Sequence, residues 1–137
     1  NDLGVKEEQW EPGYGENYYA VSDDGKILRE LWVNGARGNH RLLMNNVFKT
    51  EEEAEAQLDF NIEKVKLIKE IEESSDVIDW EDENQYKYNL CLYDGGVSIN
   101  YQGVASFGVP VTTNKEWLEN YIKENEADIK KYYFGEK

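Results

Sequence analysis

One cysteine, Cys91, one histidine, His40, one methionine and two prolines are all that this 137-residue chain holds of those four types. A lone cysteine excludes an intrachain disulfide and fits a reducing cytoplasm. A Cys–His catalytic pair would have to be Cys91 with His40. Yet Cys91 lies in an apolar alternating run, where a small buried side chain is expected, and His40 stands beside Arg41 in a polar stretch that reads as exposed. Thiolate–imidazole metal sites need more ligands than these two. The acidic runs lack the alternating ligands and glycine of a calcium loop, and no glycine-rich loop ends in Lys-Ser/Thr to cradle a phosphate. No apolar run approaches the roughly 18 residues that cross a bilayer. No enzyme, no cofactor, no metal and no membrane contact are therefore expected.

Basic residues are also scarce: 15 oppose 29 acidic ones, for a net charge of −14, which disfavours direct contact with nucleic acid. The distribution is uneven. Between Glu51 and Asn84 fourteen carboxylates face only Lys64, Lys66 and Lys69, and Glu72 to Glu83 contains no basic residue. Between Lys26 and Lys49 the sign reverses, and all three arginines, Arg29, Arg37 and Arg41, fall there against Glu30 alone. The chain is dipolar along its length.

What is present suffices for a core: ten tyrosines, four tryptophans and an apolar share of 39%. Residues 1–9 show no period and read as a flexible segment. Tyr18 to Val21 and Lys26 to Val33 flank Asp24-Gly25, a hairpin signal, because glycine supplies the positive φ such a turn needs. Asn34 to Asn39 reads as a turn, and His40 to Phe48 as a third strand. Thr50 with Glu53 forms a capping box at the head of the main helix, which runs to Glu73. On it Ala54, Leu58, Ile62, Val65 and Ile68 make a stripe for the sheet. Phe60, Leu67 and Ile71 lie opposite, for a second sheet, a partner surface or a second copy in a homodimer. The segment 74–85 reads as an acidic linker anchored by Val77, Ile78 and Trp80.

The second part resembles a shortened copy of the first. Trp10 and Trp80 precede Asp24-Gly25 and Asp94-Gly95 at the same spacing, Tyr18 matches Tyr88, and Thr113 with Glu116 repeats the capping box. Leu118, Tyr121, Ile122 and Asn125 share one face of the second helix, and Ile129 to Phe134 form an aromatic tail that should dock. The expectation is an α+β protein of two ββ(β)α-like halves. Residues 10–73 form the first half, 86–137 the second, shorter ββα half, and the two pack as one compact unit.

The pattern Trp10-x-Pro12, Asn46-Val47-Phe48-Lys49-Thr50-x-Glu52-Glu53-Ala54-Glu55 and the ending Tyr132-Tyr133-Phe134-Gly135 resembles a recurrent group of uncharacterised small proteins of phages and prophages of Gram-positive bacteria. The resemblance covers most of the chain from Trp10. It implies a phage setting in the cytoplasm of a bacterial host, and carries no catalytic residue across. In that group the pattern also closes longer proteins, so a C-terminal domain of a longer member is expected.

Two binding roles follow. In the first, Glu72, Glu73, Asp76, Asp79, Glu81, Asp82 and Glu83 form an acidic face that mimics nucleic acid. It would inhibit a host nucleic-acid enzyme or defence system through that partner's basic surface. In the second, the chain is a phage accessory module for replication or morphogenesis. It would use exposed aromatics such as Tyr19, Trp32 and Trp117, or an anion or partner site of Arg29, Arg37, His40 and Arg41 on the sheet.

Overall fold

The computed structural model describes residues 9–106 and 108–136. The expected flexible segment 1–9 therefore lies outside them except for Gln9. The protein is α+β, with two small antiparallel two-stranded sheets, each followed by helix. In chain order the elements are β1 (Asn17–Val21), β2 (Ile27–Leu31), α1 (Ala36–Leu43), α2 (Glu51–Glu73), β3 (Tyr88–Tyr93), β4 (Gly96–Tyr101) and α3 (Lys115–Asp128), with a π-helical turn at Ile129–Tyr133. The chain divides into two compact units, Asn1–Phe60 and Asn61–Lys137, so the division falls inside α2.

In the first unit the hairpin turns through Ser22 to Lys26. The Gly25 N–H donates to the Ser22 carbonyl at 3.1 Å, and Gly25 takes the left-handed conformation at φ 80°. Asp94 and Gly95 make a shorter turn in the second hairpin, with both residues at positive φ, 51° and 80°. Both Asp-Gly pairs thus turn the chain, but by different routes. The pairing shifts accordingly: Tyr18 faces Glu30, whereas Tyr88 faces Tyr101.

Each hairpin gains a third segment of one bridging residue. The N–H and carbonyl of Phe48 pair with those of Tyr19 at 2.8 and 2.9 Å, and Thr112 pairs with Tyr88 in the same way at 3.0 and 2.9 Å. Each bridge stands two residues before the residue that heads the next helix. The head of α2 is the expected box. Thr50 Oγ1 accepts from the Glu53 N–H at 3.2 Å, although the Glu53 carboxylate reaches the Lys49 N–H and not that of Thr50. At α3 the cap is Asn114, whose Oδ1 accepts from the Trp117 N–H at 3.0 Å. The expected Thr113–Glu116 box does not form, because Thr113 is engaged by the loop that follows α2.

His40 to Phe48 is not a strand. Residues Ala36–Leu43 form helix α1, which ends in a left-handed Asn45 at φ 55° with the Asn46 N–H on the Arg41 carbonyl at 2.8 Å. Glycine and asparagine here signal a turn, but Trp32 decides otherwise. Its indole is buried against Gly38, where a Cβ would fall 2.6 Å from the ring. The helix admits that ring because position 38 is bare of side chain. Around it Tyr18, Ala20 and Val47 complete the core of the first unit, with Tyr18 edge-on to Trp32 at 5.8 Å.

The core of the second unit gathers Leu67 and Ile71 of α2, Tyr88 and Leu90 of β3, Leu118 of α3 and Ile129, flanked by Tyr121, Ile122, Tyr133 and Phe134. The α3 face and the aromatic tail dock as the periodicity indicates. The stripe of α2 does not. Ile62 and Val65 are 44% and 49% exposed, while Leu67 and Ile71, placed opposite by the periodicity, are buried. One helix contributes Ala54 to its first unit and Leu67 and Ile71 to its second, so no single stripe describes it.

Gly38→Ala tests the contact that sets α1. Alanine gains about 1 kcal/mol of helix propensity over glycine, whereas overpacking against a fixed ring costs about 1–3 kcal/mol. With three ring atoms within 3.3 Å of the added carbon, the clash wins. Urea unfolding is expected to show a net loss of stability for the variant.

Candidate functional site

The segment 74–85 is an ordered loop of the second unit. Val77, an expected anchor, is 91% exposed, and Ile78 and Trp80 are half-buried; the fastening is polar. At its start Ser74 Oγ donates to Thr112 Oγ1 at 2.8 Å, the Thr113 N–H donates to Ser75 Oγ at 3.0 Å, and the Asp76 N–H donates to Thr113 Oγ1 at 3.0 Å. In the middle, one side chain closes the loop: Gln85 accepts from the Asp79 N–H at 2.7 Å and donates to the Val77 carbonyl at 2.8 Å. Asp79 and Asp82 each accept from the N–H two residues on, at 3.0 and 2.9 Å, the local turns that aspartate favours. At its end the buried Lys87 donates through Nζ to the Asp82 carbonyl at 3.0 Å and lies over the Trp80 ring.

Glu72 and Glu73 close α2, and Asp76, Asp79, Glu81, Asp82 and Glu83 follow along this loop; all seven are exposed. Among the described residues none of the seven forms an ion pair. The carboxylates that the sequence singles out are thus open to solvent on a segment whose backbone is held.

The arginine-rich site is differently built. Arg37, His40 and Arg41 stand on α1, not on a strand, and line a cleft of about 760 Å³ with Ser22, Met44 and Asn46. Arg29 is not with them. It faces Tyr19 across the ladder, on the opposite side of β2 from Glu30, as strand alternation requires. Arg41 is half-buried and doubly engaged, 3.0 Å from the Glu30 carboxylate and 2.8 Å from the Tyr18 hydroxyl, to which its guanidinium donates. Arg37 lies 3.7 Å from the same carboxylate. The hydrogen bond from Arg41 holds the Glu30 carboxyl below its ordinary value, and burial opposes this only in part. Two of the arginines therefore already share a counter-ion.

The aromatics proposed for an interface are mostly committed to the cores. Trp32 is 2% exposed, and the half-buried Trp117 stacks on Tyr121 at 4.6 Å beside the second core. Tyr19 is half-buried. The exposed rings are others: Tyr14, Tyr86, Tyr93 and Tyr101. His40 lies in the first unit and Cys91, half-buried on β3 opposite Ser98, in the second. Among the described residues no three His, Cys, Asp or Glu side chains are placed to hold a metal ion, and no helix is long and apolar enough to cross a membrane.

Two outcomes are expected. Since the folded pKa of Glu30 is depressed, its pair with Arg41 stabilises fully above the ordinary carboxyl value and is lost as pH falls through the folded one. The stability gap between the protein and Glu30→Gln, measured by urea unfolding, should be widest at neutral pH and close under acid conditions. Gln85→Ala removes two bonds that shape the acidic loop. Amide hydrogen exchange in 77–85 should rise about tenfold for a loss on the order of 1 kcal/mol, with the β3–β4 ladder unchanged.

Compared with protein-family models, with curated proteins and with solved structures, the chain matches none.

Proposed function

We propose that this is a non-enzymatic acidic binding protein that mimics nucleic acid, inhibiting a nucleic-acid enzyme or defence system in the cytoplasm of a phage-infected bacterium. The phage setting comes from the resemblance of its Asn46 to Glu55 and Tyr132 to Gly135 segments. The observation that carries the reading is that exposure and order coincide between Glu72 and Glu83. Two carboxylates at the end of α2 and five along a loop fastened by Gln85, Thr113 and Lys87 are exposed, and no cation of the described residues forms an ion pair with them. A groove built for polyanions attracts carboxylates by the same field that attracts phosphates. A fastened loop loses less conformational entropy on docking than a free one. The arginine cleft supports an anion site less well, because Glu30 already occupies Arg41 and lies near Arg37.

The test is capture from a Gram-positive lysate at low and high salt, followed by competition with duplex DNA and with RNA. A basic nucleic-acid enzyme should be captured at low salt, released as salt rises, and displaced by the nucleic acid. Glu72→Lys combined with Glu73→Lys, Glu81→Lys and Glu83→Lys spares the aspartates that form the turns, and should weaken capture about tenfold or more. Capture that resists salt, or that nucleic acid does not compete, would overturn the reading.

A further inference from the structure

Beside the acidic loop lies a pocket of about 310 Å³ whose walls include Trp80, Tyr86 and Tyr101, with Asp82 and Glu83 at the same site. We propose that this pocket receives an arginine side chain from a basic peptide segment of the partner, a step that rests on the function proposed above.

The walls are aromatic and set in place. Tyr101 packs on Tyr88, with centroids 5.4 Å apart, and stands edge-on to Tyr86 at 6.0 Å; yet Tyr101 and Tyr86 remain 64% and 62% exposed. Their outer surfaces stay open to solvent, whereas Trp117, Tyr121, Tyr133 and Phe134 pack against the core of this unit. The third wall shows what such a surface takes. Trp80 already carries an ammonium, Lys87 Nζ, 5.4 Å from its ring centroid, and that lysine is only 5% exposed. The site therefore holds one cation of its own on the indole and leaves two phenol rings free. Two carboxylates against one ammonium keep its net charge negative.

Arginine suits it better than lysine. A guanidinium is planar, weakly hydrated and able to stack on a phenol ring while it pairs through two N–H groups with a carboxylate such as Glu83. A second ammonium would meet Lys87 as a compact like charge without the stacking. A phosphate or nucleobase phosphate is disfavoured by Asp82 and Glu83.

The test uses the full chain with two probes of equal charge, hexa-arginine and hexa-lysine, followed by calorimetry and by the Trp80 indole and tyrosine ring signals in NMR. Hexa-arginine should bind about two- to fivefold more tightly than hexa-lysine and shift the signals of Trp80, Tyr86 and Tyr101. Tyr86→Leu removes an exposed ring without touching the core, and should abolish that preference while leaving salt-dependent binding of both peptides. Glu83→Gln, which alters no ring, should also narrow it. Equal affinities, a preference untouched by Tyr86→Leu, or absence of binding to either peptide would overturn the pocket. If a DNA-displaceable enzyme is still captured, only the pocket fails. If the arginine preference holds but no such enzyme is captured, the inhibitor reading fails and the pocket stands.

Discussion

A two-stranded hairpin does not hold itself together in water, because neither its two edges nor its two faces are covered well enough to offset the entropy of ordering it. Both units of this protein meet that constraint in the same way. The first strand of each hairpin takes its partner strand on one edge and a single bridging residue on the other, Phe48 for Tyr19 and Thr112 for Tyr88. A helix cap follows at once in each case. The bridge thus stands just ahead of each helix; in the second unit that helix brings Leu118 to the core with Tyr88 and Leu90, whereas in the first Trp32 and Val47 join Tyr18 and Ala20. In the second unit the same junction also holds the acidic loop, since Thr112 and Thr113 bond to Ser74, Ser75 and Asp76. The display of carboxylates depends on a backbone bridge made for folding.

The two charged regions that stand out in the sequence meet different fates in the structure. Arg41 folds against Glu30 and Tyr18, with Arg37 near the same carboxylate, and braces α1 on the hairpin. The carboxylates between Glu72 and Glu83 find no such cationic counterparts among the described residues; Asp79 and Asp82 accept from the loop's own backbone, and all seven stay exposed. Cation scarcity explains the contrast: 15 basic residues cannot neutralise 29 acidic ones, and the few near this loop are drawn inward, as Lys87 is.

Much of the fold was legible because its causes are local. The Thr50 cap with its three following glutamates marks the start of α2, and each Asp-Gly pair marks a turn by the positive φ of glycine. Helix α1 was not legible, because its cause is distant: Gly38 and Asn39 read as turn residues until Trp32 is seen to need the space above Gly38. Trp32 itself was misplaced as exposed for the same reason. The separation of Arg29 from the other arginines could have been read from strand alternation, since adjacent residues on β2 face opposite ways and Glu30 attracts Arg41. The order of the acidic loop could not, because Gln85 and Thr113 act through side-chain bonds that no periodicity announces.

Asn46 makes a small contact with a wider effect. Its side-chain amide accepts from the Val21 N–H and donates to the Val21 carbonyl, both at 2.8 Å, so that it imitates one peptide unit of a neighbouring strand. Together with Phe48 it seals the outer edge of β1 along most of its reach. An open edge is a template on which a second molecule can add a strand and begin an aggregate. Mutual repulsion among chains of charge −14 keeps them apart at long range but weakens as salt screens it. The amide of Asn46 closes its part of the edge at contact distance, where ionic strength has little hold, so this cover over β1 does not depend on charge repulsion.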